Sequence, residues 1–385
     1  MTRETAEAWL LRKQSTSDER AGELVLAQID LPDMGDHDVL VEPIFGTWEA
    51  NMTHALERRP VDLCYLRGED FVVLGNSGIA RVLKTGSAVT NCAVGDVCVF
   101  GPIGSYDAYG QTIQVYGYDM PGSIGLLAKR AVWHERMLSP VPKDTKYPLE
   151  RWAGWSIRYG TAWDNWGLAY GMWKLALDGQ EAKTYVWGWG GGVSLALLQL
   201  AQHAGCRTAM IASHDDRLEL LRRENIDAVD RRQFLDLDFN EERFKSDRAY
   251  TRKYAGAERT FLKIVEELTD GHGVSIFMDN IGAPVMRATT RALGRMGIVT
   301  TVGWKCGKSL NYDRARECIC RHTFVHSHGC SRHAGLKGIA YSEEHGWLPP
   351  ENPKVYEWDA IPQLAADYAA NQLSDYAPVY CINPL

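Results

Sequence analysis

The sequence predicts an α/β protein of two domains, a β-barrel-like domain followed by a doubly wound parallel sheet. Three observations carry that expectation. The 385 residues exceed what a single hydrophobic core usually organises. The patterning changes near residue 150, from short strands with turn punctuation to alternating strands and helices. The first strand after that change runs into clustered glycines and then an apolar helix, as at the opening turn of a parallel α/β sheet.

In the first region Leu24–Ile29 and Val39–Pro43 read as strands separated by the turn Pro32–Asp38. Phe71–Leu83 and Val94–Phe100 follow, rich in β-branched residues and turning at Gly95-Asp96. Such a run of strands without intervening helices fits a small, partly closed barrel. In the second region Trp152–Leu177 has helical spacing, and Thr184–Trp187 is a short strand leading to the glycines. Helix Val193–His203, strand Arg207–Ala212 and helix Arg217–Glu224 continue the alternation. Val274–Met278 and Gly297–Val302 add strands around the helical Pro284–Leu293. The stretch Arg231–Glu258 is charged and poor in large aliphatics, and reads as an exposed excursion. From Phe324 the pattern mixes short strands and helices and is expected to return to the first domain. The boundaries expected are 1–152, 153–323 and 324–385.

Composition narrows the function. A formal net charge of −7 argues against nucleic acid and anionic membranes as partners, because both require a basic surface. No apolar run approaches the roughly 20 residues that span a bilayer. The opening MTRETAEAWLLRKQ lacks the apolar core of a secretory signal, so a cytoplasmic location is expected. The nine cysteines are odd in number, scattered and free of any C-x-x-C, which fits reduced thiols. Five of the thirteen tryptophans fall between Trp152 and Trp173, and core packing is the expected use.

The segment Tyr185-Val186-Trp187-Gly188-Trp189-Gly190-Gly191-Gly192-Val193-Ser194 carries the chemistry. Backbone N–H groups of Gly188, Gly190, Gly191, Gly192 and Val193 at a helix N-terminus suit a pyrophosphate, and glycine allows its close approach. Ser194 stands where a third spaced glycine would permit tight helix–strand packing, so a slight displacement is expected. The next strand ends in Ala212-Ser213-His214-Asp215-Asp216-Arg217. A dinucleotide site for NAD would place an acid at Ala212; Ser213, His214 and Arg217 instead suit a 2′-phosphate and favour NADP(H). Asp215 and Asp216 are the residues that would reverse the choice if they stood one position closer.

With those residues in view, the chain resembles the medium-chain dehydrogenase/reductase superfamily over nearly its whole length. The similarity runs through Ala6–Leu11, Asp38–Val41, Val73-Leu74-Gly75 and Val94-Gly95-Asp96. It implies a GroES-like catalytic domain plus a Rossmann nucleotide-binding domain, and dimerisation through the last strand of the Rossmann sheet as a homodimer or homotetramer. Tyr116–Asp119, Gly160–Ala162, Leu235–Phe244 and Arg321–Ala334 resemble the crotonyl-CoA carboxylase/reductase branch, the third of these as a strand-turn insertion. Zinc-dependent relatives hold metal with a Cys in the segment Gly46–Glu49 and the His of a Gly-His-Glu; here the triplet is Gly75-Asn76-Ser77. Both ligands are replaced, so no metal is expected. The later cluster Cys318, Cys320, His322, His326, His328, Cys330 and His333 fits no standard ligand spacing and is expected to be structural or substrate-lining.

The resemblance implies a reductase that passes a hydride from NADPH to the β-carbon of an activated double bond, in an acyl thioester such as an enoyl-CoA. In the carboxylating branch a Phe/Tyr-Glu pair, an Asn and a His organise CO2 beside the enolate. Here the pair is Tyr118-Asp119, the Asn position falls in Thr47–Asn51 without a clear match, and the His is His328 or, with another gap, His326. Thr161, at a helix start, would lie near the nicotinamide, and Arg332 would meet carrier phosphates. Tyr118 and Asp119 also fit ordinary turn chemistry before Pro121-Gly122. Reductive carboxylation, quinone or carbonyl reduction, and a non-catalytic nucleotide-binding role remain the alternatives.

Overall fold

The computed structural model describes residues 4–14, 22–303, 305–306, 314–327, 331, 334–350 and 354–385. They form two compact units, residues 1–160 with 330–385, and residues 161–329. The boundaries expected at 152/153 and 323/324 therefore move later. One helix, Leu149–Ala176, runs through the first boundary, and the strand Phe324–Ser327 stays paired in the second unit's sheet.

The first unit opens with β1 (Thr5–Arg12), β2 (Leu24–Asp30) and β3 (Asp38–Thr47). Helices α1 (Ala50–Leu56) and α2 (Leu63–Arg67) lead to β4 (Phe71–Val72), β5 (Gly78–Thr85) and β6 (Val97–Phe100). Short strands β7 (Ile103–Tyr106), β8 (Thr112–Val115), β9 (Ala131–His134) and β10 (Leu138–Pro140) precede the long helix α3 (Leu149–Ala176). β3 is the central strand, antiparallel to β5 on one side and to β9 and the C-terminal strand on the other, with bulges between Leu40/Val41 and Pro43/Phe45. Its residues are almost all buried because both faces are covered, which explains the apolar run Val39–Phe45. The end of β3 thus lies inside the barrel, where Gly46 is needed: a Cβ there would meet the Tyr380 ring at 2.3 Å.

α3 carries all five tryptophans of the cluster. Trp152 and Trp155 are buried against Tyr159 and Trp347, with Trp155–Trp347 centroids 6.1 Å apart, so these rings serve packing. Ser156 breaks the helical dihedrals (φ −19°, ψ −106°), and its hydroxyl donates to the Phe100 carbonyl at 2.6 Å.

The second unit contains β11 (Tyr185–Trp189), α4 (Gly192–His203), β12 (Arg207–Ala212), α5 (Asp215–Arg223) and β13 (Asp227–Asp230). It continues with α6 (Glu241–Ser246), α7 (Arg248–Leu268), β14 (Val274–Met278), α8 (Ala283–Ala292), β15 (Leu293–Thr301) and β16 (Phe324–Ser327). All six strands are parallel, in the order β13-β12-β11-β14-β15-β16. The order reverses between β11 and β14, and open α/β sheets bind ligands at such a point, outside the strands' C-terminal ends. After residue 330 the chain returns through α9 (Ala334–His345), β17 (Val355–Tyr356), α10 (Ile361–Ala369) and β18 (Val379–Cys381), and β18 pairs with β3. Among the described residues no helix is long and apolar enough to cross a membrane.

Arg231–Glu258 is exposed over much of its length, as expected, but it is helical and anchored by a few buried rings. It holds α6 and the first half of α7, and Leu235–Phe244 contains no strand. Aromatic residues supply the burial that a count of aliphatics overlooks: Phe239, Phe244 and Tyr254 meet at 5.3–5.8 Å between centroids. Phe234 and Phe261 sit in one core with Trp187 and Trp189. Phe261, wholly buried, stacks on Trp189 at 5.4 Å and meets Trp187 edge-on at 6.4 Å, so it ties α7 to β11. Phe261→Ala is expected to cost about 3–5 kcal/mol in denaturant unfolding; a loss below 1 kcal/mol would show that α7 is not part of this core.

Candidate active site

In the second unit the glycine turn closes β11 onto α4. Gly188 lies so near the helix that a Cβ would meet Ser194 Cβ at 3.0 Å. The tight packing expected of a helix glycine is thus supplied from the strand side, and Ser194 is buried. A Cβ on Gly190 would stand 3.1 Å from the Ile211 carbonyl, whereas Gly191 faces open space with φ +149° and ψ 153° as the N-cap of α4. The requirement for glycine at 191 is therefore conformational, and the space beside it is free for a ligand. The 12-residue α4 presents unpaired N–H groups there, beginning at Gly192 and Val193. These features fit a dinucleotide diphosphate.

Trp189, inside this turn, is buried and donates Nε1–H to Thr289 Oγ1 at 2.7 Å. Thr289 in turn donates its hydroxyl proton to Asp279 Oδ2 at 2.7 Å. Asp279 also accepts from the N–H groups of Ile281 (2.9 Å) and Gly282 (3.0 Å), while burial pushes its carboxyl upward. At the same edge Asn280 Oδ1 accepts from the N–H groups of Val302 and Gly303, both at 3.0 Å. The loops after β11, β14 and β15 are bound into one frame.

Beyond β12, Ser213 is exposed and His214 is the N-cap of α5, with Arg217 half-buried one turn on. Asp215 does not stand alone, because Arg232 Nη2 lies 2.6 Å from its Oδ1.

Thr161 lies five residues after Ser156, where two helical segments of α3 meet at a kink, and so stands in the early turns of the second segment. Its carbonyl accepts from Asn165 Nδ2 at 2.9 Å, Thr300 Oγ1 donates to Asn165 Oδ1 at 3.0 Å, and His326 Nδ1 is 2.9 Å from Thr300 Oγ1. Since the threonine proton is committed to Asn165, His326 must donate from Nδ1. Asn165 and Thr300 were not singled out from the sequence; their signal was a fully buried polar residue on an apolar helix face and another inside an apolar strand. His328, Arg332, Cys330 and His333 lie outside the described residues, as does the side chain of Cys318. Among the described residues no group of three His, Cys, Asp or Glu is arranged to hold a metal.

In the first unit, Tyr118 and Asp119 sit in the turn after β8. Asp119 Oδ1 accepts from the Val115 N–H at 2.6 Å, so the carboxylate takes part in its own turn. Arg67 clamps this loop, donating to the carbonyls of Tyr118 (3.2 Å) and Ser123 (3.0 Å), while its Nη2 pairs with Glu69 at 2.6 Å. Glu69 in turn accepts from the Gly122 N–H at 2.6 Å. Tyr118 is half-buried against the barrel core, and burial, aided by Asp119, pushes its hydroxyl up to about 12.

A second polar group lies at the end of β3. Arg158 Nη1 is 2.7 Å from Glu49 Oε1 and its Nη2 donates to the Trp48 carbonyl at 2.8 Å. Thr47 Oγ1 stands 3.2 Å from Glu49 Oε1 and 2.7 Å from Ser77 Oγ. Burial pulls the Glu49 carboxyl upward and the Arg158 charge draws it back down. Both amide atoms of the fully buried Asn76, and the Tyr380 hydroxyl, have no hydrogen-bond partner among the described residues. Trp48 and Asn76 are the residues that the resemblance sets against the zinc ligands, and the Trp48 indole is turned to Thr53 at 2.9 Å. Neither residue is a zinc ligand, and the guanidinium adds positive charge to the cluster, so a dication does not fit there. The signal missed in the sequence was a lone arginine in the apolar run Trp152–Ala162.

Glu49→Leu leaves the Arg158 charge buried and uncompensated, and is expected to cost about 3–5 kcal/mol in denaturant unfolding. Replacing both residues, Glu49→Leu with Arg158→Met, should recover most of that loss. Equal losses in the single and double variants would show that the two charges are not coupled.

No protein-family model matches the sequence, and no curated protein matches it. Solved structures do match the fold. The crotonyl-CoA carboxylase/reductase AntE in complex with NADP is 20% identical, with a TM-score of 0.80 over 100% of this chain and 96% of that one. The 2-octenoyl-CoA carboxylase reductase CinF, in complex with NADP and 2-octenoyl-CoA, is 17% identical with a TM-score of 0.80, covering 100% and 89%. A putative alcohol dehydrogenase from Sinorhizobium meliloti 1021 is 18% identical with a TM-score of 0.73, covering 99% of each. A strand-rich unit built round β3, with an inserted six-stranded parallel sheet that reverses order at its glycine turn, gives this chain the medium-chain dehydrogenase/reductase fold.

Proposed function

We propose that the chain is a cytoplasmic, zinc-independent oxidoreductase that uses NADPH to reduce the double bond of an enoyl thioester. The observation that carries this reading is the glycine turn at the order reversal of the sheet, in a fold shared with proteins whose structures hold NADP. The N–H groups from Gly190 to Val193, with Gly188 allowing the close helix, take the diphosphate, and Ser213, His214 and Arg217 take the 2′-phosphate. Bound NADPH supplies a hydride to the β-carbon of the acceptor. The chain's own task is then to hold the carbonyl oxygen as charge develops on it, and to deliver a proton. Tyr118 keeps its proton through the neutral range and suits hydrogen bonding to an oxyanion. His326, whose Nδ1 meets Thr300 Oγ1 at 2.9 Å, is the imidazole we assign to proton delivery. Thr161 anchors the other end of that relay. His328 remains the alternative histidine.

Plain reduction is favoured over reductive carboxylation by Asp119. A carboxylate one methylene shorter than Glu and bound into its own turn is poorly placed to organise CO2 beside an enolate. We propose in addition that copies pair through β16, the edge strand of the parallel sheet, where Phe324 and Val325 are exposed. Light scattering that gives only monomer would remove that pairing.

The purified chain should oxidise NADPH in the presence of conjugated acyl thioesters, unaffected by chelators, with NADH at least tenfold poorer in affinity, equivalent to about 1.4 kcal/mol. With labelled bicarbonate, mass spectrometry should find mainly the reduced, unlabelled thioester. A dominant labelled product would establish carboxylation instead. Activity only on quinones or simple carbonyls would replace the thioester reading, and loss of activity on chelation would overturn the zinc-free one.

A further inference from the structure

The edge of the sheet where β12 and β13 end carries three carboxylates, Asp215, Asp216 and Asp230, close to the residues proposed to hold the 2′-phosphate. β12 and β13 are parallel neighbours with Ala212 opposite Asp230, so Asp230 ends its strand beside the turn that leads to Ser213. On charge alone this edge would repel a phosphate. One side chain changes that. Arg232 Nη2 lies 2.6 Å from Asp215 Oδ1 and 2.8 Å from Asp230 Oδ2. Its Nε is 3.0 Å from both Asp230 oxygens, and its backbone N–H donates to Asp230 Oδ1 at 2.8 Å. Hydrogen bonds from Arg232 hold the Asp230 carboxyl below the usual carboxylate range, so both partners stay ionised at neutral pH.

The neighbouring Arg231 is used differently. Its guanidinium lies 5.5 Å from the centre of the Trp189 ring, over the tryptophan of the glycine turn. Arg231 is therefore engaged with the turn, while Arg232 bridges α5 to β13.

A carboxylate at the end of the second strand of such a sheet selects NAD, by accepting from the ribose 2′-hydroxyl and repelling a phosphate in its place. We propose that Arg232 sets the cofactor preference of this edge by clamping Asp215 against Asp230, which withdraws that carboxylate from the ribose and cancels its charge. This rests on the dinucleotide reading given above. Arg232 is a positioning residue: it acts through Asp215, while Ser213, His214 and Arg217 make the contacts to the phosphate.

The test is titration of the full chain with NADPH and with NADH, followed by nucleotide fluorescence, for the unaltered protein, Arg232→Ala and Arg232→Ala with Asp215→Asn. Arg232→Ala should weaken NADPH at least tenfold and leave NADH within threefold, because only the 2′-phosphate meets the released carboxylate. The double variant should return NADPH to within threefold of the unaltered chain, since the neutral amide that replaces the carboxylate no longer repels the phosphate. An Arg232→Ala chain that keeps its NADPH preference overturns the assignment. So does equal weakening of both nucleotides, which would mean a merely structural role. A double variant that fails to recover would show direct contact between Arg232 and the phosphate, and overturns it as well. Should the unaltered chain bind neither nucleotide, or bind NADH more tightly, the dinucleotide reading itself falls; that result is separate from the behaviour of the variants.

Discussion

Asp279 is the residue on which the nucleotide edge depends. It is buried at the end of β14, where an isolated carboxylate would be costly, and it persists because two backbone N–H groups and the Thr289 hydroxyl surround it. Those bonds reach in two directions. The N–H groups of Ile281 and Gly282 fix the start of α8, and Thr289 passes the constraint to Trp189 in the glycine turn. The turn can then present Gly191 in a conformation open to glycine alone, because the bulky residue two positions earlier cannot move. Removing one partner from such a network leaves others unpaired, so its parts are expected to behave as a unit.

The same rule governs the barrel. Glu49 and Arg158 are buried as a neutral pair, supplemented by Thr47 and the Trp48 carbonyl. The unfilled Asn76 and Tyr380 mark this as a polar interior whose hydrogen bonding the described protein groups do not complete. Polar interiors of that kind commonly hold ordered water.

At the 2′ edge the energetics are of another kind. Arg232 and Asp215 are exposed, so their pairing contributes little to stability. Its importance is in the field that a charged ligand meets, where the placement of one carboxylate counts for more than its strength of pairing. The fold's chemistry thus separates into buried networks that fix the backbone and a surface network that adjusts selectivity.

The sequence by itself determined the elements with strong local signals. β12 and β14 fall where β-branched and apolar runs place them, and the glycine cluster marks the strand–turn–helix because Gly191 needs its backbone and Gly188 and Gly190 need the close approach. The shift from strands to alternating elements falls near residue 150, ahead of the division at 160/161. Local pattern could not show that α3 runs through the boundary, since helix periodicity carries no information on which core a helix joins. Nor could it show how the largely exposed Arg231–Glu258 is anchored, because the aromatic rings that hold it are spread over α6, α7 and the loop before them. The tertiary structure alone decided the site's finer chemistry. Asp119 is bound to Val115, His326 is reached through Thr300 and Asn165, and Asp215 is paired with an arginine 17 residues away. Each of these depends on which side chains converge after the strands have paired, and a hydrogen bond or ion pair between distant residues leaves no periodic trace in the chain.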